Sequence, residues 1–290
     1  MKNLLILPFF IATTVLAQEP DTSSALFKMR EAELNFARQS VMFGRNVAFL
    51  NNFADESVIF TDKWLTNARE FWKNLKDAPV VLKWEPEFMD ISASRDFGIS
   101  TGPWERQEFR PNTAPLSTGY FLTVWKKQSD GNWKVMLDAG SGTPPITGTR
   151  HSFSFPSGDD KSITATSEYD VELSGKELID RDNLFSMEWK KNQASTVLTS
   201  FFEPDIRMQR NGHIPTTNPD SIRIWMGQLD RTLTWIPIGS GAAVSGDLGY
   251  TYGMLQDSGN QAINKDHYIR IWRRDPGKAW KISIEMINRE

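Results

Sequence analysis

Four residues suited to proton transfer stand at matching positions in the two halves of the sequence. Tyr120 corresponds to His267 and Asp138 corresponds to Glu285, with a spacing of 147 residues in each pair. A carboxylate or an imidazole can take a proton from a carbon acid, and a phenol or a neutral carboxylic acid can stabilise the enolate that forms. These four residues are therefore the predicted catalytic residues, in one half of the chain or the other.

The strand pattern allows a second interpretation of the two acids. Asp138 alternates with Lys134 and Met136, while the apolar residues of the same segment occupy the opposite face. The pattern around Glu285 is the same. Strict alternation favours a solvated or interface position for both acids over a catalytic one.

Aromatic residues supply the surface that a flat or apolar ligand would need. Core packing is the alternative for each of them, and a loose surface position is the alternative for the one histidine in the group. The chain has three histidines, no cysteine and no His-Glu-x-x-His motif, so we predict no metal site and no cofactor. The predicted ligand-binding residues are Trp64, Trp72, Trp104, His213, Tyr250 and Tyr252.

An internal repeat organises the chain into two tandem domains. The spacing between matched segments is 151 residues at first and falls to 147 where a loop of the first copy is longer. We predict a first domain over residues 18–139, a Gly, Ser, Thr and Pro-rich linker over 140–177, and a second domain over 178–290. Matched segments include Leu82-Lys83-Trp84 with Leu233-Thr234-Trp235, Asp96-Phe97-Gly98 with Asp247-Leu248-Gly249, and Val124-Trp125-Lys126 with Ile271-Trp272-Arg273.

Each copy reads as helices followed by strands. Helical spacing predicts helices over residues 24–42 and 45–52, and a third that begins after the capping residue Asn67. In the second copy Asn218-Pro219 marks the same helix start. Apolar residues then alternate with period two, and Asp130-Gly131 marks a hairpin, which predicts long antiparallel strands and an α+β domain.

The first residues have the three parts of a signal peptide. Lys2 supplies a positive charge, residues 4–16 form an apolar run, and a small residue, Ala17, precedes the expected cleavage point. A membrane anchor is the alternative, but the run is shorter than the roughly 20 apolar residues that span a bilayer, and it contains Pro8. Residues 1–17 are thus a predicted signal peptide.

The composition bears on the cellular location of the protein and on its possible partners. The predicted signal peptide leads us to expect a protein that is secreted or periplasmic. Because the chain has no cysteine, it forms no disulfide and carries no lipid-modified cysteine, and we expect no stable membrane insertion after cleavage. The formal net charge of −3 provides no basic field for nucleic acid.

Two motifs of the repeat carry a resemblance to a known family. The first is Asp-x-Gly-x-[Ser/Thr]-x-Gly at residues 96–102 and 247–253. The second is Trp-[Lys/Arg]-[Lys/Arg]…Gly…Trp-Lys-[Val/Ile] at residues 125–135 and 272–282. With the order of elements, they make residues 26–138 and 178–287 resemble the nuclear transport factor 2-like superfamily, and its SnoaL-like branches of unknown function most closely.

This resemblance implies two tandem cone-shaped α+β domains, each with N-terminal helices packed on a curved antiparallel sheet. It also implies an apolar pocket between helices and sheet, into which Tyr120 and His267 are expected to point. Related single domains commonly pair through the sheet, so the two copies are expected to form an intramolecular pseudo-dimer.

Three functions follow from the resemblance and stay open at this point. The first is binding of a small apolar or aromatic molecule. The second is isomerase, dehydratase or cyclase chemistry, with Asp138 or Tyr120 in the first cone, or with His267 and Glu285 in the second. The third is a non-catalytic role in protein interaction.

Overall fold

The structure is a computed structural model that describes residues 24–61, 64–76, 78–108, 114–146, 152–156, 169–257, 266–274 and 278–289. The predicted signal peptide, residues 1–17, lies outside these ranges and stays a prediction. Within them, no helix combines the length and the apolar composition needed to cross a membrane.

The first copy begins with two helices and adds a third between its strands. Its sheet has the strand order β2-β1-β7-β6-β5-β3, and β4 pairs with β5 beside β3. The elements are α1 (Ala25–Phe43), α2 (Arg45–Asn52), β1 (Phe53–Thr61), β2 (Trp64–Asn67), α3 (Ala68–Asn74), β3 (Val80–Trp84), β4 (Phe88–Ile91), β5 (Phe97–Glu108), β6 (Ser117–Lys127) and β7 (Trp133–Thr143).

The second copy repeats this plan with a simpler sheet, whose strand order is β8-β12-β11-β10-β9. We call the space between the helices and the sheet of each copy its cone. The elements are α4 (Val171–Lys191), α5 (Ala194–Phe201), β8 (Phe202–Arg210), α6 (Pro219–Gln228), β9 (Thr234–Ala242), β10 (Leu248–Gln256), β11 (His267–Arg273) and β12 (Lys281–Asn288).

Side-chain caps begin the helices where the sequence predicted them. Ser24 Oγ accepts a hydrogen bond from the Phe27 amide at 3.1 Å, and Asn67 Oδ1 accepts one from the Glu70 amide at 3.0 Å. Asn218 caps α6, which has Pro219 as its first residue. The fold class, α+β with two sheet-bearing regions, is therefore as predicted.

Both sheets are mixed, whereas the sequence predicted antiparallel ones. In the first copy β1 runs parallel to β7, and in the second β8 runs parallel to β12; the other pairs are antiparallel. Each parallel pair joins the first and last strands of a copy. No hairpin connects such strands, so no local turn signal reports the pairing.

Secondary structure extends into both ends of the predicted linker, residues 140–177. The glycine-rich start continues β7 to Thr143, because this stretch pairs with β6, and a sheet ladder needs only backbone groups. At the other end, Asp170 accepts hydrogen bonds from the Glu172 and Leu173 amides and starts α4 at Val171.

An apolar cluster between the two sheets joins the copies. Each sheet turns one face to its own helices and the other face to this cluster, and the buried residues come from both copies. Its buried members are Phe97, Ile99, Leu122, Val124, Leu137, Ala243, Leu248, Tyr250, Ile269, Ile271, Ile284 and Met286.

Polar contacts between two equivalent turns set the relative orientation of the copies. The Ser94 amide donates to Ser245 Oγ at 3.1 Å, and the Ser245 amide donates to Ser94 Oγ at 3.2 Å. Asp90 and Arg273 form an ion pair beside them. Such a reciprocal exchange between equivalent residues is the pattern of a two-fold interface.

We predict that Leu122→Ala lowers the free energy of unfolding by about 2–5 kcal/mol, because Leu122 is fully buried between the sheets and truncation leaves a cavity. Urea unfolding followed by tryptophan fluorescence measures the change. Met42→Ala is the control, since Met42 is 69% exposed and its replacement should change stability by no more than about 0.5 kcal/mol. Equal, small effects of both substitutions would contradict packing of the two sheets.

Candidate functional site

Asp138 lies inside the first cone because a β-bulge changes the alternation of β7. Val124 pairs with Leu137, but the next position of the ladder pairs with Val135, so Met136 has no Cα partner. The extra residue brings Asp138 onto the cone face with Val135, while Leu137 faces the other sheet. The solvated or interface position favoured by strict alternation is therefore wrong.

The second copy has the same bulge at the equivalent place in β12. Ile271 pairs with Ile284, but the next ladder position pairs with Ile282, which leaves Ser283 without a partner. Glu285 is consequently fully buried beside the residues of the second cone. The repeat thus places one acid in each cone by the same irregularity of the backbone.

The Asp138 carboxyl has a polar but uncharged neighbour. Thr123 Oγ1 donates a hydrogen bond to its Oδ1 at 2.6 Å. Among the described residues, no cation lies within ion-pair distance of Asp138. Burial raises the pKa of Asp138 to about 7, the hydrogen bond from Thr123 opposes this rise, and the nearby Glu33 adds to it.

Glu33 is a second buried acid of the first cone, and the sequence analysis missed it. Its carboxylate accepts hydrogen bonds from Trp84 Nε1 at 2.6 Å, from Trp125 Nε1 at 3.0 Å, and from the Ser100 hydroxyl. Burial raises its pKa despite these bonds. The available signal was an acid on the apolar face of α1, three residues before Phe36.

Two adjoining cavities meet at Asp138. The inner chamber has a volume of about 420 Å³, and the outer chamber, which opens beside α3, has a volume of about 710 Å³. Phe49, Trp72, Ala139 and Gly140 line both chambers with Asp138. The carboxyl is therefore enclosed by protein but reachable by a small molecule from either chamber.

Six aromatic residues contribute to the wall of the inner chamber, as expected for an apolar ligand site. Trp72 packs on Phe49 with ring centroids 3.9 Å apart. Trp104 packs close to β7, where a Cβ added at Gly140 would lie only 3.0 Å from the indole Nε1. The aromatic residues of the inner chamber are Phe36, Phe49, Trp72, Trp84, Trp104 and Phe121.

Trp72 and Trp104 are thus two predicted ligand-binding residues that the structure brings to one cavity. The side chain of Trp64 lies outside the described part of the chain. His213 is exposed on a turn, where its ring packs on Trp225 with centroids 5.2 Å apart. Trp225 packs against the core of the second copy, and His213 lines neither chamber of the first cone.

Tyr120 and His267 do not point into the cones, so this expectation is wrong. Tyr120 shares a strand face with Leu122, which packs between the sheets, and its hydroxyl donates to Glu87 at 3.0 Å. The His267 ring stacks on Phe60 of the first copy with centroids 4.0 Å apart. Alternation on β6 and β11 assigns the cone face to the neighbouring residues.

Tyr250 and Tyr252 also lie between the sheets and line neither chamber. Tyr250 stacks on Phe97 with centroids 5.8 Å apart, and Tyr252 contacts Phe60 edge to face at 6.1 Å. Their aromatic surface is used for packing of the two copies, which was the alternative interpretation for each.

In the second cone, arginines surround the equivalent acid. Arg270 Nε and Nη2 donate to Glu285 at 2.9 and 2.8 Å, and Arg210 pairs with the other carboxylate oxygen. Arg270 also pairs with Asp182, which accepts from the Tyr268 hydroxyl at 2.9 Å. Burial alone would raise the pKa of Glu285, but Arg210 and Arg270 lower it.

Arg270 and Tyr268 fill the space that stays open in the first copy. They stand where the first copy has Thr123 and Phe121, and the Arg270 guanidinium lies 3.6 Å from the Phe185 ring centroid. Arg270 is fully buried. The second cone is therefore a charge-balanced core, whereas the first combines a cavity with an uncompensated acid.

The described ranges contain no group of three or more His, Cys, Asp or Glu residues placed to hold a metal ion. The side chains of the first cone supply three features that bear on its chemistry. These are a carboxyl that titrates near neutral pH, a hydroxyl that orients it, and an aromatic wall.

No family model matches the chain, and no curated protein matches it either. The solved structures that resemble it are nuclear transport factor 2-like and ketosteroid isomerase-like proteins, several of unknown function.

Three of these structures have the following similarity to the chain. A ketosteroid isomerase-like protein from Erwinia carotovora atroseptica SCRI1043 is 15% identical, with a TM-score of 0.34, over 42% of this chain and 99% of its own. A nuclear transport factor 2-like protein from Salmonella enterica serovar Typhimurium LT2 is 17% identical, with a TM-score of 0.33, over 44% and 96%. A similar protein of unknown function from Shewanella oneidensis MR-1 is 16% identical, with a TM-score of 0.30, over 38% and 97%.

We predict opposite pH dependences for Asp138→Asn and Glu285→Gln. The pKa of Asp138 is about 3.8 in a free chain and about 7 in the fold, so the folded state binds this proton more tightly. The free energy of unfolding of the unsubstituted protein should therefore fall, relative to Asp138→Asn, as the pH rises through this window. Above about pH 7 the asparagine variant should be the more stable protein.

Glu285→Gln should instead cost about 3–5 kcal/mol at neutral pH, because it leaves two buried guanidinium groups without a carboxylate. Since the pKa of Glu285 is lowered in the fold, this loss should shrink as the pH falls below about 4.5. Urea unfolding of the three proteins between about pH 4 and about pH 8 measures both effects. Parallel pH profiles for the two variants would contradict the different environments of the two acids.

Proposed function

We propose that the first cone binds a small apolar or aromatic molecule and that the second cone is a structural partner without a ligand site. The observation that carries this proposal is the difference between equivalent positions. Thr123 leaves the inner chamber of about 420 Å³ beside Asp138, whereas Arg270 occupies the corresponding space of the second copy. Cavities of roughly 300–1,000 Å³ with aromatic walls and few polar groups are typical of small-molecule sites.

The packing of the two sheets supports the structural role that this proposal gives to the second copy. The second copy contributes Ile269, Ile271, Ile284 and Met286 to the shared apolar cluster, directly behind the strands that carry Asp138 and Thr123. In this intramolecular pseudo-dimer the second copy holds the wall of the first cone rigid. A rigid wall preorganises a binding site and reduces the entropy cost of binding.

Thr123→Arg tests the proposal by giving the first cone the composition of the second. The new guanidinium should pair with Asp138 and fill the inner chamber, so ligands that raise the melting temperature of the unsubstituted protein should no longer do so. The assay is a thermal-shift screen with steroid-like, polyketide-like and small aromatic compounds.

Thr118→Arg is the matched control, since it makes the same change on β6 but on the face away from the inner chamber. It should leave the ligand-induced shift in place. A screen in which no compound shifts the unsubstituted protein, or in which Thr123→Arg keeps the full shift, contradicts ligand binding in the first cone.

An acid–base enzyme of the isomerase, dehydratase or cyclase type is the second candidate function. The specific observation in its favour is the environment of Asp138, whose pKa near 7 suits a general base that works at neutral pH. The carboxylate would take a proton from the carbon next to a carbonyl of the ligand, and the electron pair of that C–H bond would form an enolate. Return of the proton to another carbon completes an isomerisation.

We predict that the protein catalyses exchange of the α-protons of a bound cyclic ketone, such as 2-tetralone, with solvent deuterium. The exchange rate should rise with pH and level off above about pH 7, because Asp138 must be ionised to act as base. Proton NMR in heavy water measures the rate.

Asp138→Asn should abolish this exchange, whereas Asp130→Asn, the same change at an exposed hairpin, should not. Exchange that survives in Asp138→Asn would rule out this carboxylate as the base. Binding of the ketone without any exchange above the background rate would leave only the binding function.

A further inference from the structure

A single basic side chain, Arg106, stands at the mouth of the inner chamber. On β5 the alternation that turns Trp104 toward the first cone also places Arg106 on that face. Arg106 lies between Leu82 of β3 and Ser117 of β6, its register partners on the two sides. All three residues line the inner chamber.

Arg106 has no ion-pair partner in the part of the chain that the structure describes. Across the described residues, no acid lies within ion-pair distance of its guanidinium, although nearby basic residues have partners: Lys83 contacts Glu105 at 3.9 Å. Arg106 is exposed and lines the inner chamber, so its donors are available to a molecule that enters the chamber. A guanidinium presents two parallel N–H groups that match a carboxylate.

Charge is otherwise scarce in the inner chamber. Of the described residues that line it, only Arg106 and Asp138 are ionisable, and the wall between them is mainly apolar. When Asp138 is neutral, Arg106 is the one charged group among the described residues that line the chamber. The Glu33 carboxyl lies behind this wall, where it accepts hydrogen bonds from Trp84 and Trp125 and burial raises its pKa. Such a chamber is complementary to a molecule with an apolar body and one anionic end.

The second copy has the opposite charge at the equivalent position. Asp257 stands where the first copy has Arg106, and it lies 3.8 Å from Arg289. In that copy Arg270 is fully buried inside the cone, with its guanidinium 3.6 Å from the Phe185 ring centroid. The unpaired arginine therefore occurs in the copy with an open cone.

We propose that the ligand of the inner chamber is an aromatic or alicyclic carboxylic acid, held as its anion. Its carboxylate accepts hydrogen bonds from the Arg106 guanidinium and the Ser117 hydroxyl, and its apolar body lies along Trp84 and Trp104 toward Asp138. This inference rests on the proposed binding function of the first cone and specifies the class of ligand.

Isothermal titration calorimetry with 2-naphthoate and 2-naphthamide tests the inference. The two probes have nearly the same shape, but only naphthoate carries a charge. We expect naphthoate to bind the unsubstituted protein about tenfold more tightly than naphthamide, as one charge-assisted contact at a partly exposed site allows. Arg106→Gln should remove this difference by weakening naphthoate alone.

Lys83→Gln is the matched control, because it removes the same charge from the adjacent strand but on the face that lines a different cleft. It should change the affinity of neither probe. Naphthoate should also bind more weakly at about pH 8 than at about pH 6, and this loss should be absent in Asp138→Asn, since ionised Asp138 repels a second anion.

The outcomes separate the two proposals. If both probes bind equally and Arg106→Gln changes neither affinity, the carboxylic acid inference is wrong while the binding function stands. If Lys83→Gln weakens naphthoate as much as Arg106→Gln does, the effect is a general surface potential, and the inference is again wrong. If neither probe binds, and no compound of the thermal-shift screen does, the proposed binding function fails as well.

Discussion

Each copy of this protein places a carboxylic acid inside its cone at the same point of its last strand. The groups that surround this acid differ between the copies, and so does the content of the cone. A buried carboxylate loses its hydration and needs either a cation or a proton. In the second copy Arg270 and Arg210 supply the positive charge for Glu285. In the first copy the hydrogen bond from Thr123 only partly opposes the effect of desolvation, so the pKa of Asp138 is raised to about 7.

The arginines beside Glu285 and the threonine beside Asp138 have different consequences for packing. A guanidinium that pairs with a buried acid must reach it, so Arg270 extends into the cone and contacts the ring of Phe185. Thr123 is short, and a cavity remains beside Asp138. An open cavity beside an acid without a cation stabilises the fold less than a filled core does. Such a local loss of stability is typical of functional sites. The repeat therefore preserves one framework while the polar positions diverge.

The face of each sheet that points away from its own helices packs against the other copy. Tyr120 and His267, whose side chains are of types that can transfer protons, lie on these faces, where Tyr120 donates a hydrogen bond to Glu87 and His267 stacks on Phe60. The β-bulges of β7 and β12 change which face each residue occupies. As a result, apolar residues of these strands face the other sheet while one acid of each strand faces the cone. Without the bulge at Met136, Asp138 would face the apolar cluster.

The sequence by itself determined the repeat, the α+β class, the helix starts at Ser24, Asn67 and Asn218, and the equivalence of Asp138 with Glu285. These features depend on local spacing, capping and comparison of the copies, which a sequence contains directly. Only the tertiary structure decided which faces the functional candidates occupy, that the sheets are mixed, and that one cone is open. The physical reason is that a shift of one residue in strand register exchanges the two faces, and the shift arises from pairing between strands that are distant in the chain.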